Sequence, residues 1–225
     1  MFRPHIIAID GPAGSGKTTL AYRLARKLGY FYLDTGEMYR AVTWAALHNQ
    51  VDVADEKAVT DLANQVDIDV RSPSVIDGRV NDVWVDGQDV TREIRRPEIE
   101  ASVSVVAAYP GVRQAMTLKQ RQIGQRKRVV MAGRDIGTVI FPDAELKIYL
   151  DASVEERAMR RFKENQAQGE TLSYEEILAA MRRRDAIDST RKVAPLLPAE
   201  DAVRINSDGL TSEEVFHRVL ALFDR

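Results

Sequence analysis

One octapeptide constrains this chain more than any other feature. Gly11-Pro12-Ala13-Gly14-Ser15-Gly16-Lys17-Thr18 satisfies the pattern G-x-x-x-x-G-K-[ST]. Such a loop curls so that successive main-chain N–H groups point inward, where they receive phosphate oxygens. The lysine serves the β- and γ-phosphates, and the last hydroxyl is a magnesium ligand. The positive end of the following helix adds to the same field. The pattern carries this meaning only between a strand and a helix, and both are predicted here. His5 to Ile9 is a run rich in β-branched residues, short enough for a buried strand, and Asp10 and Gly11 end it. Leu20, Leu24 and Leu28 then recur at helical spacing, and Gly29 stands where a helix-closing glycine belongs. Gly11, Pro12, Ala13, Gly14, Ser15, Gly16, Lys17, Thr18 and the adjoining Thr19 are the expected triphosphate-binding residues. Lys17 is the catalytic one among them, and Thr18 is the magnesium ligand.

The rest of the chain continues the alternation. Tyr30 to Leu33 reads as a second strand, Asp34-Thr35-Gly36 as a turn, and Glu37 to His48 as a helix. Arg128–Ala132 and Leu146–Leu150 are buried-strand runs, and Ala202–Ile205 is a last short strand. Ser153-x-x-Glu156, Ser173-x-x-Glu176 and Thr211-x-x-Glu214 are capping boxes that open helices. Strands alternating with helices predict an α/β fold with a parallel sheet covered on both faces. With the loop, this is the three-layer α/β/α P-loop architecture of the nucleoside-triphosphate hydrolases. Val66 to Val90 departs from the rhythm. Val66-Asp67-Ile68-Asp69-Val70 alternates with period two, Val83–Val85 is strand-like, and Asp77-Gly78 and Asp86-Gly87 are hairpin signals. A small antiparallel patch inserted at about 62–95 is expected, within one domain spanning 1–225.

Composition closes off other classes. With 225 residues, one core can be buried without staples, and the absence of cysteine excludes disulfides and thiolate metal sites. Charged residues make up 29%, yet the net charge is −2, which argues for no nucleic-acid partner. No apolar run approaches the roughly 18 residues of a membrane span, and the opening Met1-Phe2-Arg3-Pro4 lacks the pattern of a secretory leader. A soluble, cytoplasmic protein is expected.

A phosphate loop alone does not distinguish switches, motors and kinases. A guanine-reading Asn-Lys-x-Asp is absent. Arginine density is high between Ser153 and Lys192: Arg157, Arg160, Arg161, Arg182, Arg183, Arg184 and Arg191. Arg157, Arg160 and Arg161 share one helical face, and so do Arg184, Asp188 and Arg191. An arginine-bearing flap would stabilise a moving phosphoryl group and exclude water. A solvated hairpin, salt-bridged through Glu155, Glu156, Glu164, Glu175 and Glu176, explains the same charges. The residues leave the two readings open.

Several segments together resemble the bacterial cytidylate kinases, a family of nucleoside-monophosphate kinases. They are Ile9-Asp10-Gly11-Pro12, Leu33-Asp34-Thr35-Gly36 with Tyr39-Arg40, Gly133-Arg134-Asp135-Ile136-Gly137-Thr138-Val139, Phe141-Pro142-Asp143-Ala144, Arg184-Asp185 through Asp188 to Arg191, and Val193-Ala194-Pro195-Leu196. The resemblance covers almost the whole chain, and the Gly133–Val139 segment is its most specific part. It implies transfer of the γ-phosphate of ATP to CMP or dCMP, with magnesium, by a monomer. It implies a monophosphate-binding region over 35–113 and a lid over 152–191. Thr35, Tyr39, Arg40, Ser104, Arg113, Arg134, Asp135, Arg184, Asp188 and Arg191 would line the acceptor site. Arg134, Asp135, Arg184 and Arg191 would share in catalysis with Lys17, and Arg157 and Arg161 would serve ATP. Asp34 is open between a helix cap and an anchor behind the magnesium. A same-fold kinase of another acceptor (UMP, AMP or a small metabolite such as shikimate) and a non-catalytic nucleotide-binding regulator are the competing readings.

Overall fold

Residues 3–126, 128–167 and 169–224 are described by the computed structural model. A five-stranded, fully parallel sheet forms its centre, ordered β2-β6-β1-β7-β8. The strands are β1 (Ile6–Asp10), β2 (Phe31–Asp34), β6 (Val129–Gly133), β7 (Leu146–Asp151) and β8 (Val203–Asn206). Period two explains how β1 serves two cores. Ile7 and Ile9 face a layer formed by helix α1 (Lys17–Leu28) and α8 (Ser212–Leu220), whereas Ala8 faces the opposite layer. That opposite layer holds α2 (Thr35–His48), α3 (Glu56–Gln65), α4 (Pro97–Val106) and α5 (Pro110–Gly124). The predicted three-layer arrangement is the observed one.

The antiparallel patch is also present, as β3 (Ile68–Arg71), β4 (Asp82–Val85) and β5 (Gln88–Asp89). Asp86 and Gly87 both have positive φ, at 48° and 80°, so the β4–β5 connection is the two-residue turn that Asp-Gly favours. Asp77-Gly78 behaves differently. Arg71 pairs with Asp82, so this Asp-Gly lies inside a longer loop rather than a tight hairpin. Arg79 organises the loop by bonding Asp77, Asp82 and Asp89.

Two local expectations shift. Asp34-Thr35-Gly36 is the start of α2, not a separate turn. The Asp34 carboxylate accepts from the Gly36 N–H at 2.9 Å, which caps the helix two residues earlier than its apolar pattern suggests. Both other capping boxes close reciprocally, at Ser173–Glu176 before α7 (Tyr174–Thr190) and at Thr211–Glu214 before α8. At α6 (Val154–Ala167), Ser153 accepts from the Glu156 N–H, but the Glu156 carboxylate bonds Arg160 instead.

Parallel strands bring their C-terminal ends to one edge, the usual place for ligands in such sheets. Asp10, Asp34 and Gly133 with its successor Arg134 all lie there, Asp10 in register with Gly133 and Asp34 with Ala132. α7 ends at the same edge.

Candidate active site

The octapeptide connects β1 to α1, as its pattern requires. Gly11 shows why no side chain is tolerated at its start, because a Cβ there would lie 2.1 Å from the Leu150 carbonyl oxygen of the neighbouring strand. Lys17 is buried and its ammonium donates to the Pro12 carbonyl at 2.8 Å, folding back over its own loop. Burial first, and the nearby Arg134 second, push that ammonium down to about 7. Asp34, Arg184 and Asp188 act on it as well, so the loop and the arginine cluster share one electrostatic neighbourhood. The Ser15 hydroxyl is buried without a hydrogen-bond partner among the described residues, a polar atom left for a ligand to satisfy. The Thr18 hydroxyl lies 3.3 Å from the Asp34 carboxylate. A hydroxyl beside a carboxylate is a hard-oxygen donor set that suits magnesium. Among the described residues no group of three or more His, Cys, Asp or Glu could hold a metal by itself.

Asp10 ties this loop to the Gly133–Val139 segment. Its two carboxylate oxygens accept from the N–H groups of Ile136 and Gly137, both at 2.8 Å, at the start of a π-helical turn (Ile136–Ile140). Burial pushes the Asp10 carboxyl up to about 6 in spite of those donors. The turn leaves Arg134 and Asp135 at the strand ends. Thr35 is fixed against the same place, donating to the Ala132 carbonyl at 3.0 Å.

Three carboxylates each join two arginines. Asp135 accepts from Arg113 at 2.5 Å and lies 3.7 Å from Arg191. Asp188 accepts from Arg134 at 2.7 Å and lies 3.5 Å from Arg191. Glu100 joins Arg40 at 3.0 Å to Arg184 at 2.9 Å. Tyr39 lies under the Arg113 guanidinium, 5.3 Å from ring centroid to cation. Burial and the adjacent Arg134 push Arg184 below its usual range. Burial would raise Asp188, but Arg134 and its other cations hold it low. The cluster draws on the ends of β6 and α7 and on α2, α4 and α5, so packing brings together what the chain separates.

The sequence-predicted residues are sorted by these contacts. Arg157 is buried, forks onto Asp185 at 2.6 and 3.2 Å, and donates to the Ala13 carbonyl of the loop at 3.0 Å. Ser104 is half-buried, one turn beyond Glu100 on α4. Arg161 is not brought in; its side chain is 51% exposed and lies 3.7 Å from Glu164. The arginine-rich segment is therefore neither wholly a solvated hairpin nor wholly a site. Arg157, Arg184 and Arg191 face the loop and the cluster, while Arg161 and Arg182 pair at the surface. Sequence reasoning did not single out Glu100, and Asp185 entered it only within the Arg184-Asp185 motif. Asp10 was noticed only as part of a motif. Nothing local marks any of the three, since each is identified by a partner far along the chain.

A phosphate loop at the strand ends of a parallel sheet, sharing its field with paired arginines, defines a P-loop kinase. The comparisons are more specific. The family model for cytidylate kinase matches residues 7–225, so the chain belongs to the cytidylate kinase family. It is 51% identical over 222 residues to the cytidylate kinase of Herpetosiphon aurantiacus, covering 99% of this chain and 95% of that one. It is likewise 51% identical to that of Roseiflexus castenholzii, covering 98% and 94%, and 48% identical to that of Bacillus velezensis, covering 97% and 96%.

Proposed function

We propose that this protein transfers the γ-phosphate of ATP to CMP and dCMP, releasing ADP with CDP or dCDP. The observation that carries this reading is the junction at Asp10, which leads into the phosphate loop and accepts from the N–H groups of Ile136 and Gly137, directly after Arg134 and Asp135 of the arginine cluster. A nucleotide-binding regulator has no use for a second anion seat beside the first. The named relatives are cytidylate kinases, which supports CMP as the occupant of that seat.

Gly11 to Thr19 cradles the triphosphate, Lys17 neutralises its reacting end, and Arg157 braces the loop through Ala13. Arg40, Arg113 and Arg134 hold the acceptor phosphate, with Thr35 and Tyr39 lining its pocket. Ser104 and Asp135 read the cytosine edge, Asp188 favours the sugar hydroxyl, and Arg184 and Arg191 face the phosphates. Thr18, backed by Asp34, would hold magnesium, which supplies charge neutralisation of the phosphate oxygens. The nucleophile is already an anionic oxygen, so the protein needs no strong general base; it positions and neutralises. Residues 152–191 form the lid, which excludes the water that would otherwise hydrolyse ATP. Residues 35–113 form the monophosphate-binding region. Action as a cytoplasmic monomer rests on the family resemblance, and no helix among the described residues is long and apolar enough to cross a membrane.

ADP release measured over CMP, dCMP, UMP and AMP tests the assignment. CMP and dCMP are expected to give the highest kcat/KM. A preference for UMP or AMP would replace the acceptor, and ADP release indifferent to all four would remove the kinase reading.

A further inference from the structure

Among the three carboxylates of the cluster, Glu100 is unlike the other two. Asp135 and Asp188 are buried. Glu100 projects from α4 with its side chain 40% exposed. One oxygen accepts from Nε and Nη2 of Arg40 at 3.1 and 3.0 Å, and the other accepts from Nη1 of Arg184 at 2.9 Å. The ion pairs of Arg40 and Arg184 thus both run to this one carboxylate, which bridges the acceptor region to the lid helix α7. Two guanidinium groups converging on one oxyanion is also how a phosphate monoester is gripped. Burial would raise the Glu100 carboxyl, but Arg40 and Arg184 hold it down at about 2, so it carries its charge throughout the neutral range.

We propose that Glu100 is an internal stand-in for the acceptor's phosphate, occupying the seat between Arg40 and Arg184 and setting the affinity of whatever anion replaces it. The proposal rests on the reading of Arg40 as an acceptor-phosphate ligand and of Arg184 as an arginine that faces the phosphates. A half-exposed glutamate on flexible bonds can swing out towards solvent. A phosphate dianion has more charge and more acceptor oxygens than the carboxylate it displaces. Singly charged anions gain less from the exchange, so the seat favours dianions. Glu100 touches no reacting atom in this scheme and acts through the two arginines, as a positioning residue.

Glu100→Gln keeps the shape and removes the charge. Glu98→Gln removes the same charge from an exposed position on the same helix and serves as the control. Inorganic phosphate is the probe, titrated calorimetrically into the full chain, with KM values for CMP and ATP measured alongside. Glu100→Gln is expected to bind phosphate roughly three- to tenfold more tightly, the scale of two partly exposed ion pairs released from competition. The CMP KM should fall in parallel, the ATP KM should not follow, and Glu98→Gln should show neither change. Phosphate binding that is unchanged or weaker in a folded Glu100→Gln overturns the proposal, as does an equal gain in Glu98→Gln. Glu100→Ala repeats the test if the glutamine form loses its cooperative melt. Tighter phosphate binding in a protein without CMP-dependent turnover would sink the kinase reading and leave this one standing. CMP turnover with indifferent phosphate binding would do the reverse.

Discussion

In the proposed reading, the two halves of the site solve the same problem, holding phosphate, with different materials. The donor half would be one unbroken stretch, Gly11 to Thr19, where main-chain N–H groups do most of the holding and Lys17 adds one charge. The acceptor half is assembled from side chains on α2, α4, α5, α7 and the end of β6. Main-chain N–H groups carry no net charge and need no counter-ion while they wait. Clustered guanidinium groups do need one, and Glu100, Asp135 and Asp188 each pair with two of them, Arg191 being shared between the two aspartates. A backbone cradle therefore depends on its glycines and one lysine, whereas the arginine cluster depends on carboxylates as much as on cations.

That contrast can be broken experimentally, and the largest effect belongs to the cradle. Lys17→Met should lower kcat by at least about 10²–10³-fold, the scale for removing one preorganised charge from a transition state. Its melting temperature should hold or rise, because a buried ammonium is replaced by an apolar side chain of similar length. Near-normal kcat in a folded Lys17→Met would detach the loop from the chemistry.

Arg191→Ala should behave in the opposite way. Arg191 is buried, donates to the Ala194 carbonyl at 2.6 Å, and faces both Asp135 and Asp188. Its removal leaves Asp135 to Arg113 alone and Asp188 to Arg134 alone and takes away the bond to Ala194, at a cost of about 1–3 kcal/mol. Both kcat and the denaturant midpoint are expected to fall. A loss of turnover with full stability would mean that the cluster is less interlocked than its contacts indicate.

A subtler difference concerns protons. The unfolded chain keeps the Lys17 proton up to about 10.5, whereas the folded chain releases it near 7. Between these values the unfolded state binds more protons, so this group makes stability rise with pH across that window. Bound polyphosphate favours the charged lysine. ATP binding at about pH 8 should therefore take up close to one proton, read by calorimetry in buffers of different ionisation enthalpy, and Lys17→Met should lose that uptake. An uptake retained in the variant would assign the proton elsewhere. The smallest effect is expected at Arg161. Arg161→Ala should change stability by no more than about 0.5 kcal/mol and leave the ATP KM in place, as for other surface pairs. A raised ATP KM would return Arg161 to the nucleotide site.

The same contrast explains what could be read from the chain. The loop, β1 and α1 were legible because each depends on neighbours in sequence: a strand run, glycines at fixed offsets, leucines at helical spacing. Asp86-Gly87 was legible for the same reason, whereas Asp77-Gly78 misled because loop length, not the dipeptide, decides the connection. Asp34 was legible as a candidate helix cap, but the start of α2 was placed two residues late because the apolar pattern marks only the helix interior. Arg40, Arg113 and Arg134 were nominated by family resemblance rather than by spacing, whereas Arg184 and Arg191 also shared a helical face. Glu100 was missed because its partners lie 60 and 84 residues away, and on the sequence of α4 it is an ordinary helical glutamate.

The central claim is that two phosphate seats work on one reaction, and product analysis tests it most directly. ATP would be incubated with CMP in one vessel and with cytidine in another, and the nucleotides separated. The account predicts CDP and ADP in equal amounts from CMP and no phosphorylation of cytidine, which offers the arginine seat no phosphate. ADP without CDP, or cytidine converted as readily as CMP, would contradict it.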